Sequence, residues 1–435
     1  MYRRHLANTR RKLFSTRKLR FRLVFWGSAI IVGATAALFA IAAQFADSRF
    51  KQFYDQEPWL ALLVPPFGLV LISWLTRRFF PGAEGSGIPQ AIAALQLGSH
   101  GLRQRVLSLK IAVGKILLTL LGLFSGASIG REGPTVHVGA SLMFALHNHQ
   151  LFRRKNMSQL LIIAGGAAGI SAAFNTPLAG ILFAIEEMAR KYHKRTSSVL
   201  LIAVILAGLT AMSFLGQYNY FGETDATLDW SHAWFVVPIL GVVGGLLGGS
   251  FSSLLIYGSR RLASTMLRQP VLLAFVCGLL LSVYGFLSNG ATFGTGYHEA
   301  KTIMEGEHLA FSYPLLKFLA TATSYLSGIP GGIFAPSLSI GAGLGADMAH
   351  LLPYAPYGAI VILGMVAYFT GVVQTPITAF VIVMEMTNNS GILLPLMATA
   401  LIANAVSHLV CPTPIYQALA EAYLNKTQKP LSKRK

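Results

Sequence analysis

Long apolar segments separated by short polar ones dominate the hydropathy pattern of this chain. Each segment is close to or above the ~20 residues that a helix needs to span the hydrocarbon core of a bilayer. The segments cover residues 23–46, 58–75, 111–130, 158–186, 198–216, 234–257, 269–288, 311–328, 336–351, 358–384 and 392–410. Glycine and proline interrupt several of them, and membrane helices tolerate such breaks only where the freed backbone is buried or lines a cavity. The pattern predicts an all-α, polytopic membrane protein with broken and tilted helices.

The composition also indicates a membrane protein, and the placement of charge argues against a nucleic-acid partner. Of the 435 residues, 54% are hydrophobic and 12% are charged, against about 25% charged residues in soluble domains. The net charge of +19 would suit nucleic-acid binding, but the basic residues concentrate at the two ends and in short loops such as 190–195. Because cytoplasmic loops of membrane proteins carry an excess of Lys and Arg, we expect both termini in the cytoplasm.

Two pairs of matching segments indicate an internal repeat. The segment GREGPTVHVGA begins at Gly130, and GIFAPSLSIGA begins at Gly332, 202 residues later. A second pair follows in the same order, with NTPLAGILFAIEE from Asn175 and QTPITAFVIVMEM from Gln374. Two matches in one order at nearly one spacing predict that the chain consists of two related halves.

The segment between the halves predicts that the second half is inverted. Residues 217–234 contain Glu223, Asp225 and Asp229 but neither Lys nor Arg, and a loop without basic residues is expected outside the cell. If the ends are inside and the middle is outside, each half crosses the membrane an odd number of times. Inverted repeats with broken helices are the architecture of many secondary transporters. The predicted division is a basic cytoplasmic segment 1–22, a first membrane repeat 23–216, an external linker 217–233, a second repeat 234–420 and a basic cytoplasmic tail 421–435.

Three segments share a pattern of glycine followed by a proline that opens an apolar stretch: GSGIP at 85–89, GREGP at 130–134 and GIFAP at 332–336. Proline suits the first turn of a helix, and glycine lets a ligand approach the backbone. A helix N-terminus attracts anions, but one such end contributes only about 0.3–2 kcal/mol. Several converging ends would bind a dehydrated anion without a full positive charge. The alternative is that these segments are ordinary breaks between helices.

These three motifs, together with PTPIYQAL at 412–419 and AFNTPLAGILFAIEEM at 173–188, resemble those of the CLC family of chloride channels and chloride/proton antiporters. The resemblance runs from about residue 23 to about residue 420. It implies a homodimeric, inverted-repeat helical bundle with one anion pathway in each subunit and no cofactor. The expected partners are chloride, protons and the lipid bilayer, and bromide and nitrate are expected to pass as well. The short tail after Tyr416 predicts the prokaryotic type without cytoplasmic regulatory domains, in a bacterial inner membrane.

The resemblance also implies roles for individual residues around a central anion site. Hydroxyl groups would come from two sides of the anion, and backbone N–H groups would complete its coordination within the glycine motifs. The implied residues are Ser86 and Tyr416 for the hydroxyls, Ile333 and Phe334 for the N–H groups, and the motif glycines Gly85, Gly87 and Gly332.

An outer anion site and gate are implied for Arg131, Glu132 and Gly133. Glu132 resembles the gating glutamate of the family, whose carboxylate occupies an anion position and leaves it when protonated. A structural ion pair between Arg131 and Glu132 is a weak alternative, because adjacent helix residues do not face each other.

A chloride/proton antiporter needs a second titratable group on the cytoplasmic side. Glu187 lies three residues before Arg190, at the start of the basic loop, and resembles the internal proton acceptor of family antiporters. The alternative is a surface carboxylate that pairs with the loop. Glu186 has a repeat partner in Glu385 and is interpreted as structural. An antiporter is the leading interpretation, with a passive voltage- or pH-gated chloride channel as the alternative.

Two further features do not fit this interpretation directly. The helix after GSGIP reads QAIAALQ, without the acidic residues frequent in the family, so Lys110 lacks its usual acidic partner. Lys110 is expected either to be partly buried or to reach the cytoplasm by snorkelling. GASIG at 126–130 also matches the G-x-S-x-G pattern of serine hydrolases. An intramembrane hydrolase at Ser128, with His137 as its base, is therefore a remote alternative.

Overall fold

A computed structural model describes residues 16–153, 157–188, 197–216, 221–222, 226–228 and 230–428. These residues form helices and their connections, with two isolated backbone bridges and no strand among them. Several sequence predictions concern residues outside these ranges. They are the basic segment up to residue 15, the basic loop at 190–195, most of the acidic linker including Glu223, Asp225 and Asp229, and the tail from residue 429.

The helices of the predicted first half begin and end close to the apolar segments. They are α1 (Thr16–Gln56), α2 (Pro58–Ala61), α3 (Val64–Phe79), α4 (Ile88–Gln96), α5 (His100–Gln104), α6 (Leu109–Phe124), α7 (Glu132–Ala145), α8 (Met157–Phe174), α9 (Pro177–Phe183) and α10 (Ser197–Leu215). Two 3-10 turns follow α7, and a π-helical turn, Ala184–Met188, follows α9.

The predicted second half contains ten further helices. They are α11 (Val236–Arg261), α12 (Ala263–Arg268), α13 (Pro270–Leu287), α14 (Tyr297–Met304), α15 (Tyr313–Leu326), α16 (Phe334–Leu351), α17 (Tyr357–Val373), α18 (Pro376–Thr387), α19 (Leu393–Val410) and α20 (Ile415–Gln428). Proline stands in the first turn of α4, α9, α13 and α18, where its missing N–H costs no hydrogen bond.

Seven helical stretches in the described ranges are long and apolar enough to cross a bilayer. The prediction of a polytopic, all-α membrane protein is therefore confirmed. Two long apolar runs are each broken by one residue with a positive φ, Asn175 at 59° and Gln374 at 54°. These residues occupy matching places in the two repeats and end α8 and α17. Each is followed by Thr-Pro, which starts the next helix.

Close packing within each half depends on glycines at repeat-related positions. A Cβ on Gly139 of α7 would overlap the carbonyl of Gly165 on α8, and a Cβ on Gly341 of α16 would lie 2.8 Å from the carbonyl oxygen of Gly364 on α17. Small residues allow membrane helices to approach this closely. The two helix pairs that carry the GREGP and GIFAP motifs are thereby fixed in equivalent ways.

The two halves contact each other reciprocally through two glutamates. The carboxylate of Glu186 accepts hydrogen bonds from the N–H groups of Ile377 and Thr378, at 3.2 and 2.7 Å. The carboxylate of Glu385 accepts hydrogen bonds from the N–H groups of Leu178 and Ala179, at 3.1 and 2.8 Å. Each glutamate thus caps the first turn of a helix in the other half. Such an exchange of equal contacts is what two-fold related units make, and it agrees with the structural interpretation of Glu186.

Candidate functional site: converging helix N-termini

The three glycine–proline motifs meet in the interior and are joined by backbone hydrogen bonds. Gly130 and Gly332 exchange N–H···O bonds of 2.8 and 2.7 Å, which links the first turns of α7 and α16. Gly85 donates to Ile329 at 3.2 Å and accepts from Gly331 at 3.3 Å, which links the approach to α4 with the same region. The segments are therefore not independent breaks between helices, because all three form one cluster.

Glycine is required inside this cluster by close approach and by backbone conformation. A Cβ on Gly133 would overlap the hydroxyl of Ser86, and a Cβ on Gly87 would lie 2.8 Å from the carbonyl oxygen of Gly133. Gly87 also has a φ of 108° and directly precedes α4, a conformation that other residues rarely adopt. The N-termini of α4 and α7 consequently lie against each other.

The first turn of α20 brings Tyr416 to the cluster. Tyr416 and Ser86 are each 1% exposed, and their hydroxyl groups face each other, but neither oxygen makes a hydrogen bond of normal geometry within the described residues. The ring of Phe334, in the first turn of α16, lies 5.7 Å from the ring of Tyr416. Ile333, which precedes α16, is also buried. The structure therefore brings together the predicted hydroxyl groups and the predicted backbone donors.

Glu132 is fully buried in the first turn of α7. Its Oε2 accepts a hydrogen bond from the N–H of Ala335 at 3.4 Å, in the first turn of α16. The carboxylate thus occupies a position at the N-terminus of a helix from the other half, where an anion is stabilised. A Cβ on Gly130 would contact this carboxylate, so the glycine leaves room for it. Arg131 precedes α7 and is buried beside the cluster.

Glu187 lies in the π-helical turn after α9 and is only 2% exposed. The alternative of a surface carboxylate is therefore wrong, because the turn directs Glu187 into the protein. Tyr416 is close enough to interact electrostatically with both Glu187 and Glu132. Both glutamates therefore lie near one buried phenol group.

The sequence itself matches one known family over most of its length. Residues 67–408 match the family described as voltage gated chloride channel. The chain belongs to this family, the CLC family. The predicted resemblance is thereby confirmed.

Relatives of similar length cover nearly the whole of this CLC chain. The H(+)/Cl(-) exchange transporter ClcA of Salmonella typhimurium is 30% identical over 444 residues, 96% of this chain and 92% of the relative. The structure of a slow cyanobacterial Cl-/H+ antiporter has a TM-score of 0.80 at 26% identity, covering 94% of this chain and 98% of its own. A CLC-type fluoride/proton antiporter shares the fold alone, with a TM-score of 0.77 at 23% identity over 91% of this chain and 96% of its own. The predicted CLC fold is confirmed.

The buried lysine of this CLC protein is not the one expected. Lys110 is exposed, whereas Lys115, about one and a half turns further along α6, is fully buried. Its Nζ donates to the carbonyl of Gly85 at 2.9 Å and approaches the carbonyl of Glu84 at 3.4 Å. The expectation of a partly buried Lys110 is therefore wrong, because one face of α6 points outwards with Lys110 and the other carries Lys115 towards the GSGIP motif.

A second buried lysine holds an equivalent loop in the other half of the CLC fold. Lys317 stands 202 residues after Lys115, the spacing of the first pair of matching segments. Its Nζ donates to the carbonyls of Gly294 and the two residues before it, at 2.9–3.3 Å. The sequence GTG at 294–296 thus takes the place of GSG at 85–87. The repeat spacing would have identified both lysines from the sequence.

The hydrolase alternative is wrong for this CLC chain. The Oγ of Ser128 lies 2.9 Å from the Oγ1 of Thr321, and the Nε2 of His137 lies 2.9 Å from the carbonyl of Val106. A serine nucleophile needs a base within hydrogen-bond reach, but the side chains of Ser128 and His137 are each bonded elsewhere. The G-x-S-x-G match contributes only structural contacts.

Proposed function

We propose that this protein exchanges chloride for protons across the membrane. The observation that carries the proposal is the buried carboxylate of Glu132, held at the N-terminus of α16 where an anion would be stabilised. A carboxylate in that position competes with a transported anion while it is charged, and it loses this attraction when it is protonated. Proton uptake and anion entry are thereby linked at one site. The relatives described as chloride/proton exchangers support the same conclusion.

The proposed central chloride site consists of the hydroxyls of Ser86 and Tyr416 and the N–H groups of Ile333 and Phe334. Buried polar groups are normally hydrogen-bonded. The two buried hydroxyls face each other but make no hydrogen bond of normal geometry within the described residues, which supports a ligand between them. Helix N-termini and hydroxyls bind an anion without a full positive charge, which lets it leave again. Because such donors distinguish anions weakly, bromide and nitrate are expected to pass.

The proposed gate consists of Glu132 with Arg131 and Gly133 around it. Glu187 is proposed as the internal proton acceptor, since it is a buried carboxylate near the phenol of Tyr416. A passive chloride channel would need the gate but not a second buried acid. The burial of Glu187 therefore favours exchange over a channel.

The protein is an integral, multi-pass membrane protein, and its finer placement is part of the proposal. The basic ends place both termini in the cytoplasm, and a bacterial inner membrane is the proposed location. A homodimer is proposed through the apolar stretches near 181–216 and 390–410. Exposed leucines on α10 and α19, Leu209 at 55% and Leu401 at 58%, support this surface. The division into repeats at 23–216 and 234–420 is retained.

Proton uptake by vesicles that contain the purified protein and chloride tests this function. A chloride gradient directed out of the vesicles should drive protons inwards against their own gradient. Vesicles without protein, and vesicles with equal chloride on both sides, are the controls. Chloride release without any proton movement would make the protein a channel, and no chloride flux would contradict the proposed anion site altogether.

The double variant Ser86→Ala/Tyr416→Ala is expected to weaken chloride binding at least about tenfold, because a hydrogen bond to a charged group contributes about 1.5–3 kcal/mol. Isothermal titration calorimetry of the purified variant with chloride measures this effect. The variant Ser282→Ala/Tyr284→Ala is the control, because it makes the same two kinds of substitution on α13. Unchanged chloride affinity in the site variant would contradict the assignment of the two hydroxyls.

Lys115→Met and Lys317→Met are expected to affect the protein differently. Each substitution removes a buried donor and leaves backbone carbonyls unpaired. The free energy of unfolding should therefore fall by about 1–3 kcal/mol, and the melting temperature with it. Only Lys115 holds the loop that presents Ser86, so only Lys115→Met should also lower chloride affinity. Melting temperature and calorimetry separate the two effects. An equal loss of chloride affinity in both variants would contradict a specific role for Lys115.

A further inference from the structure

A groove on the outer surface lies between α3 and the start of α13. Its volume is about 640 Å³, within the range of about 300–1,000 Å³ typical of ligand pockets. Its walls are mostly apolar, and the residues that line it are Phe67, Val70, Arg268, Gln269, Pro270, Val271, Leu272 and Phe275. The rings of Phe67 and Phe275, which both line the groove, lie 6.0 Å apart. This groove lies away from the helices that carry the anion site.

Arginines lie in and beside the groove. Arg268 lines the groove itself, and Arg77, at the end of α3, donates a hydrogen bond to the carbonyl of Met266 in α12. The two segments that form the groove and its rim, 64–80 and 258–275, contain five arginines and neither Asp nor Glu. The apolar groove is therefore lined by Arg268 and lies beside Arg77, and the two segments that form it carry no acidic residue.

The level of these arginines in the membrane follows from their neighbours. Trp74, one turn before Arg77 and Arg78 on α3, is 51% exposed, and exposed tryptophan is enriched where the hydrocarbon core meets the headgroups. The groove residues Val271, Leu272 and Phe275 belong to the first two turns of α13. The apolar part thus lies within the hydrocarbon region and the arginines lie at the headgroup level, which on the proposed topology is the cytoplasmic face.

We propose that this groove binds an anionic phospholipid of the bilayer. One acyl chain lies along Val70, Leu272 and Phe275, and the phosphate pairs with Arg268 and Arg77. Basic residues next to a membrane attract anionic lipid, and the guanidinium group pairs well with phosphate oxygens. This site goes beyond the proposed chloride/proton exchange and does not depend on it.

Other occupants fit the groove less well. Both ends of this chain are basic, so like charge disfavours them at an arginine cluster. A second copy of the chain would bring its own arginines to the same place if it packed symmetrically. An anionic lipid complements both the positive charge and the apolar walls, and the surrounding bilayer supplies it.

Native mass spectrometry of the full-length protein in detergent tests the headgroup. The protein is titrated with phosphatidylglycerol or with phosphatidylethanolamine of identical acyl chains. Wild type should retain phosphatidylglycerol more strongly, and Arg268→Gln should weaken this binding about fivefold, with a similar further loss on Arg77→Gln. Arg105→Gln, which removes an exposed arginine at the end of α5, is the matched control and should have no effect.

A second variant tests the acyl-chain part without changing charge. Leu272 is 54% exposed to the surroundings, so Leu272→Trp is expected to fold and to fill the groove. The variant should bind phosphatidylglycerol severalfold more weakly in the groove. Its lipid binding at other sites should equal that of the wild type. Equal retention of the two lipids by wild type, equal losses in Arg105→Gln and Arg268→Gln, or no effect of Leu272→Trp would each overturn the proposal. Displacement by soluble glycerol phosphate alone would also overturn it, because the site would then recognise only a phosphate.

Discussion

Glu132→Gln is expected to abolish proton movement while chloride flux continues and no longer varies with pH. The amide has nearly the shape of the acid, but it can neither take up nor release a proton. It also lacks the charge that holds the carboxylate at the N-terminus of α16, beside the N–H of Ala335. The gate should therefore stay open to chloride at every pH. Chloride and pH electrodes on one vesicle preparation measure both fluxes.

The matched control for this experiment is Glu307→Gln, which makes the same chemical change at an exposed position between α14 and α15. It should exchange chloride and protons like the wild type. If Glu132→Gln retained the proton transport of the wild type, Glu132 would not carry the proton. If the variant transported neither ion, the carboxylate of Glu132 would be needed for the structure of the cluster. Calorimetry would then show that the variant has lost chloride binding.

Glu187→Ala is expected to stop proton transport and leave chloride transport in place. Glu187 is buried but does not belong to the cluster of helix N-termini, so its removal leaves the anion donors where they are. Without it, a proton on Glu132 has no titratable relay towards the cytoplasmic side. The measurement is the ratio of proton to chloride flux in vesicles, which should fall to the level of protein-free controls.

A conservative variant separates proton relay from structure at this position. Glu187→Asp keeps a carboxylate that is shorter by one methylene group, so it should restore part of the proton flux. Glu187→Ala and Glu187→Asp should have similar chloride fluxes. Proton transport that survives in Glu187→Ala would show that another group is the internal acceptor, and a parallel loss of chloride flux would indicate a structural role.

The sequence predicted the fold and most of the site well because both depend on local signals. Gly-Pro motifs start helices at defined residues, and the positions of Ser86, Glu132 and Phe334 in those motifs bring them into one cluster. The breaks after α8 and α17 were less visible. There the apolar run continues, and the change of direction is marked by Asn175 and Gln374 together with the Thr-Pro that follows each.

Side-chain depth was harder to predict than helix position. Lys110 and Lys115 lie in the same apolar context, and only the rotation of α6 and the carbonyl of Gly85 decide which one is buried. Glu187 was ambiguous for a related reason, since the basic loop after it suggested a surface position. The π-helical turn that buries it has no clear signal in the sequence. Such burial depends on contacts from distant parts of the chain.

The reciprocal caps of Glu186 and Glu385 have a consequence for biogenesis. When the first half leaves the ribosome, the first turn of α9 has no cap, because its cap is the side chain of Glu385 from the second half. Unpaired N–H groups are costly inside a bilayer, so the first half inserts before it is able to complete its own packing. The first turn of α9 in the nascent protein is therefore capped only after roughly half of the chain has followed it, so each half depends on the other to complete one of its helices.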